Sequence, residues 1–249
     1  MTHIHLPDGV LPWWVWLGGI LLAAAWVVVS GWAMGRRFDA DRRVPMVAVI
    51  AALMVISMSI PIPLLGYHVN LSVVAGALLG PLLAPIAAAI VQITLLATGH
   101  GGITTVGLNM VVLSTEMVVG WALVRTFGAL TRGTLRAGTV VAIAVVLTLA
   151  LSTTLVVGII STAGNTIPVH SEAEHAEEAT HKAAPAGDTS DMDEHDEESQ
   201  PLGQFAATLF SLGSIGWLIE AAISALIFNF LARVRPRLLP IDARSEDRS

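Results

Sequence analysis

The sequence predicts an all-α integral membrane protein of about seven transmembrane helices, with the N-terminus outside and the C-terminus cytoplasmic. Three observations predict it. Hydrophobic residues make up 54% of the 249 and charged residues 13%, with a mean hydropathy of +0.73, whereas a soluble domain is roughly 45–50% apolar and about 25% charged. Several apolar stretches exceed the roughly 18 residues that cross a hydrocarbon core about 30 Å thick, and a backbone in lipid must satisfy its own amides, which makes each of them a helix. The basic residues segregate: of the 13 Lys and Arg, all but Lys182 fall in segments that this orientation places in the cytoplasm.

The first apolar run spans about 11 to 33. Asp8 precedes it and Arg36, Arg37, Arg42 and Arg43 follow it, the reverse of a signal peptide, so the run is expected to remain as a helix with its start outside. A second run, about 45 to 65, closes at Pro61-Ile62-Pro63 and leads into an outer loop, Tyr67-His68-Val69-Asn70. From Leu71 to Thr98 the apolar stretch is interrupted at Gly80-Pro81 and Pro85, which predicts two short helices rather than one long one. Two helices also leave Arg125, Arg132 and Arg136 on the cytoplasmic side; one does not. Further spans are expected at about 105 to 127, 138 to 162 and 205 to 232, with Arg233, Arg235 and Arg237 closing the last.

Three segments follow from this division. Residues 1–162 are expected to form a membrane domain of six helices, opening with an N-terminal segment whose histidines make it a metal-binding candidate. Residues 163–204 are rich in Glu, Asp, Ala, Ser and His and lack the large apolar residues a fold needs, so this outer loop is expected to be disordered. Residues 205–249 supply the last helix and a cytoplasmic tail.

With the topology drawn, all eight histidines lie on the outer side: His3, His5, His68, His100, and His170, His175, His181 and His195 in the acidic loop. Imidazole is a common ligand of nickel, cobalt, zinc and copper, which makes this face a candidate for metal capture; simple collection of polar residues in loops is the alternative. There is no cysteine, so any metal must be held by nitrogen or oxygen. At the N-terminus a free amine, the next amide nitrogen and an imidazole can close fused chelate rings in one plane, the geometry that nickel(II) and copper(II) favour. Removal of Met1 before the small Thr2 would let Thr2-His3 supply all three; with Met1 retained, Met1-Thr2-His3 can chelate through one more amide.

The string Ile4-His5-Leu6-Pro7-Asp8-Gly9-Val10-Leu11 resembles the N-terminal signature of the CbiM/NikM family, the substrate-specific subunits of energy-coupling-factor importers for cobalt and nickel. The resemblance continues through His68-Val69-Asn70-Leu71, Gly76, Leu79-Gly80-Pro81, Gly99-His100-Gly101-Gly102-Ile103-Thr104-Thr105-Val106-Gly107 and Asn109, in order and with similar spacing. It implies Co(II) or Ni(II) as transported substrate, with no permanently bound cofactor. It also implies a square-planar site of four nitrogens: the terminal amine, the amide and side chain of the His after it, and an outer-loop His that His68 matches. In the family that first His is the second residue. Here His5 holds the motif position without an adjacent amine, while His3 can have the amine but stands two residues early. His100, in place of an acidic residue common in the family, is a further candidate ligand.

The resemblance implies partners as well: a transmembrane coupling subunit and two cytoplasmic ATPases, with a small accessory membrane subunit as an option and no nucleic acid. The chain has no G-x-x-x-x-G-K-[ST], and its one lysine, Lys182, lies in the acidic loop, so it is not expected to hydrolyse ATP. Gly31 with Gly35, and Gly76 with Gly80, have the spacing that lets helices approach closely, either against a coupling subunit or within the bundle. Glu116 and Glu220 fall inside predicted spans, where carboxylates are costly and suggest a proton or cation relay, Glu220 otherwise pairing with an Arg or polar neighbour toward the inner half. Two other functions stay in view: an intramembrane hydrolase using His68 or His100 with Ser72 or Ser114, and a non-transporting metal sensor or scaffold. Neither H-E-x-x-H nor G-x-S-x-G occurs.

Overall fold

A computed structural model describes residues 11–37, 40–62, 67–99, 102–131, 135–162, 166–168 and 199–235. Among them seven helices follow one another: α1 (Trp13–Arg37), α2 (Ala40–Ser59), α3 (Ser72–Leu79), α4 (Ala84–Ala97), α5 (Val106–Thr131), α6 (Ala137–Ser161) and α7 (Leu202–Val234). Two short antiparallel ladders join them, β1 (Pro61–Ile62) with β2 (Tyr67–His68) and β3 (Thr166–Pro168) with β4 (Ser199–Pro201). The chain is an all-α, multi-pass membrane protein, and α1, α5, α6 and α7 are each long and apolar enough to cross a bilayer.

The interruption at Gly80-Pro81 does divide the third apolar stretch. The Gly80 amide closes the last turn of α3 by donating to the Gly76 carbonyl at 2.8 Å. Gly80 then takes φ 77°, a left-handed conformation open to glycine, and Pro81 has no N–H with which to continue the helix. α4 restarts with a proline in its first turn. The expected short helix is short indeed: at 8 residues, or about 12 Å of rise, α3 is a half-length helix.

This half-helix is the centre of the bundle, with seven of its eight residues buried. One side belongs to a core with Met54 of α2, Val91 of α4 and Met117 of α5. The other packs with Val124 of α5, Val145 of α6 and Phe228 of α7. Close approach to α5 depends on glycine: a Cβ at Gly76 would fall on the Met117 carbonyl oxygen, and one at Gly120 would press on Val73. Of the two glycine pairs singled out in the sequence, Gly76 thus serves internal packing, while nothing described lies within 4 Å of a Cβ built at Gly31 or Gly35.

Large apolar side chains cover the outer faces, among them Trp13, Leu21, Val49, Ile93, Leu147 and Phe230, as lipid-facing helices require. At the expected cytoplasmic ends Arg36 lies 3.9 Å from the Trp32 ring centroid and Arg125 lies 5.7 Å from that of Trp121, aromatic and cationic anchoring of the sort found at membrane interfaces. The ladder of β3 and β4 joins the two ends of the acidic segment, and α7 begins at Leu202, earlier than expected. The interior of that segment, 169–198, lies outside the described residues.

Because there is no native cysteine, orientation can be read from single substitutions. In intact cells Thr180→Cys should react with a membrane-impermeant maleimide and Ala40→Cys should not. The reverse pattern would invert the topology.

Candidate metal centre

The chain leaves α2 at Ser59 and turns back on itself so that His68 pairs with Pro61. The His68 ring is half-buried and its Nδ1 is shielded from solvent. Two residues later the backbone is already deep in the bundle. Asn70 is buried beside Glu116, and Glu116 stands ten positions inside α5 from Val106, about 15 Å below the outer end of that helix. Residues 67–71 are therefore re-entrant. Irregular backbone at this depth survives only where protein groups replace water.

Here the replacement is carboxylate. Glu220, fully buried on α7, accepts the Asn70 amide on Oε2 at 3.3 Å and the Leu71 amide on Oε1 at 3.1 Å. Leu71 itself has φ 57° and ψ 17°, a left-handed conformation costing a non-glycine residue roughly 1–3 kcal/mol that surrounding contacts must offset. The Asn70 side-chain amide donates from Nδ2 to Glu116 Oε2 at 2.6 Å, and the Ser152 hydroxyl of α6 donates to Glu116 Oε1 at 2.5 Å. One residue, Asn70, thus joins carboxylates from α5 and α7. The half-helix α3 begins immediately below, and its N-terminal dipole favours negative charge at this end.

Among the expected ligands the structure places His68 alone; Thr2, His3, His5 and His100 lie outside the described residues, as do His170, His175, His181 and His195. No group of three or more His, Asp or Glu suited to hold a metal occurs among the described residues. Glu116 and Glu220, singled out from the sequence as buried carboxylates, are brought together through Asn70. Glu220, for which an Arg or polar neighbour toward the inner half was one expectation, accepts the backbone amides of Asn70 and Leu71. Asn70, Leu71 and Ser152 were missed as site residues. An Asn just ahead of a short, Pro-terminated apolar helix was the available signal.

Of the two serines considered for a hydrolase, the structure speaks to Ser72. Ser72 is buried, and its hydroxyl makes no hydrogen bond among the described residues, so it forms no Ser–His pair of the kind that activates a nucleophile.

The profile of a family described as "Cobalt uptake substrate-specific transmembrane region" matches residues 5–238, a stretch that takes in His5, His68, His100, Glu116 and Glu220. A Haemophilus influenzae protein provisionally named a metal transport protein is 30% identical over 125 residues, which is 49% of this chain and 58% of that protein; the match therefore spans little more than half of the relative. The crystal structure of a transition metal transporter superposes with a TM-score of 0.67 at 19% identity, covering 93% of each chain. A truncated transition metal transporter gives 0.65 at 16% identity, over 92% of this chain and 99% of the other. Both share the fold. With the family profile matched across residues 5–238, this chain belongs to the CbiM family of cobalt-uptake substrate-specific transmembrane regions.

Proposed function

We propose that this chain is the substrate-capturing membrane subunit of an importer for Co(II) or Ni(II), working with a transmembrane coupling subunit and two cytoplasmic ATPases. The observation that carries the reading is His68, an imidazole with a solvent-shielded Nδ1 at the foot of the outer hairpin, two residues above a buried turn whose Asn70 and Leu71 amides donate to Glu220. The fourth nitrogen of a planar site needs such a fixed imidazole. The amino terminus supplies the other three, through its amine, an adjacent amide and the ring of His3 or His5, and His100 stands as an auxiliary ligand. Nitrogen donors of this kind suit nickel and cobalt, and geometry rather than raw affinity sets the choice. Proteoliposomes holding this chain, the coupling subunit and the ATPases should accumulate labelled metal when ATP is enclosed. Binding of metal with no uptake by the complete complex would favour a sensor instead.

The acidic loop acts as a collector. Glu, Asp and His side chains raise the local cation concentration without imposing a coordination geometry. Deleting residues 170 to 197, inside the β3–β4 ladder, should slow uptake at low metal and leave uptake at saturating metal close to that of the full chain. Complete loss of transport by a folded deletion would make the loop part of the primary site.

A further inference from the structure

Four buried polar side chains meet in the bundle, and the direction of each hydrogen bond separates their roles. The two donors to Glu116 described above can each reverse: the Asn70 amide can rotate to present Oδ1, which has no partner among the described residues, and the Ser152 hydroxyl can accept as readily as donate. At Glu220 neither donor can reverse, because both are backbone N–H groups. A carboxylate offers each amide its own acceptor oxygen, whereas a carboxamide in the same place turns a donor toward one of them. The two amides are those of Asn70 and the left-handed Leu71, and His68 lies two residues upstream of Asn70, at the end of β2.

From this we infer that Glu220 is the positioning residue of the metal site: from α7 its carboxylate grips both peptides of the re-entrant turn and so fixes the His68 imidazole, without itself touching the ion. The inference rests on His68 being a ligand, as proposed above. Partners that orient a metal-bound imidazole are commonly worth a factor of roughly 10–100 in affinity, and the same range is expected here.

The test compares Glu220→Gln with Glu116→Gln in the purified full chain, titrated with nickel(II). Glu220→Gln turns an amide donor toward a backbone donor and should weaken binding by about 10–100-fold, with a shift in the visible nickel band. Glu116→Gln, whose partners can reverse, should stay within about tenfold of the parent. Hydrogen exchange of the metal-free protein should speed up at Asn70 and Leu71 in Glu220→Gln and not in Glu116→Gln. Equal losses from both variants, or an unchanged affinity and nickel band in Glu220→Gln, would overturn the assignment.

His68→Ala separates the two ideas. If His68→Ala leaves binding intact, the ligand assignment fails; if it weakens binding while Glu220→Gln does not, the positioning role alone fails. Should Glu220→Gln not accumulate as folded protein, the double variant Leu71→Gly/Glu220→Gln carries the test, since glycine takes the left-handed turn without help. Its affinity must still fall below that of Leu71→Gly alone, and equality would overturn the assignment.

Discussion

His68→Ala should lower nickel or cobalt affinity by more than the roughly 10–100-fold that losing a mere orienting partner costs, because it removes one of four donors outright. Acetylating the amino terminus should do as much although no side chain has changed: the acetyl group takes the amine lone pair out of use and opens the first chelate ring. The two histidines of the N-terminal segment then divide the possibilities. Whichever of His3→Ala and His5→Ala reproduces the loss closes the ring, and the other should be close to neutral. Equilibrium titration of the purified chain gives all four values. If binding tolerates both the blocked terminus and His68→Ala, the donors lie elsewhere, with His100 and the acidic loop the next candidates.

Gly76→Leu should destroy the fold rather than tune it. A side chain there meets the Met117 carbonyl, which is main chain of α5, and main chain cannot rotate aside. α3 would have to separate from α5 and from both cores it joins. Overpacking of a tight interior costs about 1–3 kcal/mol in ordinary cases and more where backbone is in the way. The consequence reaches the site, since α3 anchors the Asn70–Leu71 turn. Gly31→Ala is the control: nothing described lies within 4 Å of its Cβ, and replacing a mid-helix glycine should stabilise by up to about 1 kcal/mol. Unfolding midpoints in detergent, followed by circular dichroism, should drop sharply for the first and hold or rise for the second.

Much of the architecture was legible because lipid imposes simple rules. Apolar length and arginine position predict α1, α5, α6 and α7 to within a few residues, and Gly80-Pro81 predicts the division between α3 and α4. The shortness of α3 was legible too, since the stretch that opens at Leu71 breaks at Gly80-Pro81. Its depth was not: hydropathy cannot see how far inside a helix starts when the lead-in, Val69-Asn70-Leu71, is itself largely apolar and buried by other helices rather than by lipid. Glu116 and Glu220 stood out as charges inside spans, but their meeting through Asn70 depends on tertiary packing. The partners of Glu220 are backbone amides, which carry no residue signature at all. His68 could be singled out from its position after the outer turn; the contact of the turn below it with Glu220, 150 positions downstream of Asn70, could not.

The most direct test of the four-nitrogen site is X-ray absorption and magnetic susceptibility on the nickel-loaded full chain. A planar site built from the amino terminus and His68 predicts four nitrogen neighbours, no oxygen shell and a diamagnetic d⁸ ion with a weak visible band. A paramagnetic, six-coordinate nickel with oxygen neighbours, unchanged by His68→Ala, would contradict it.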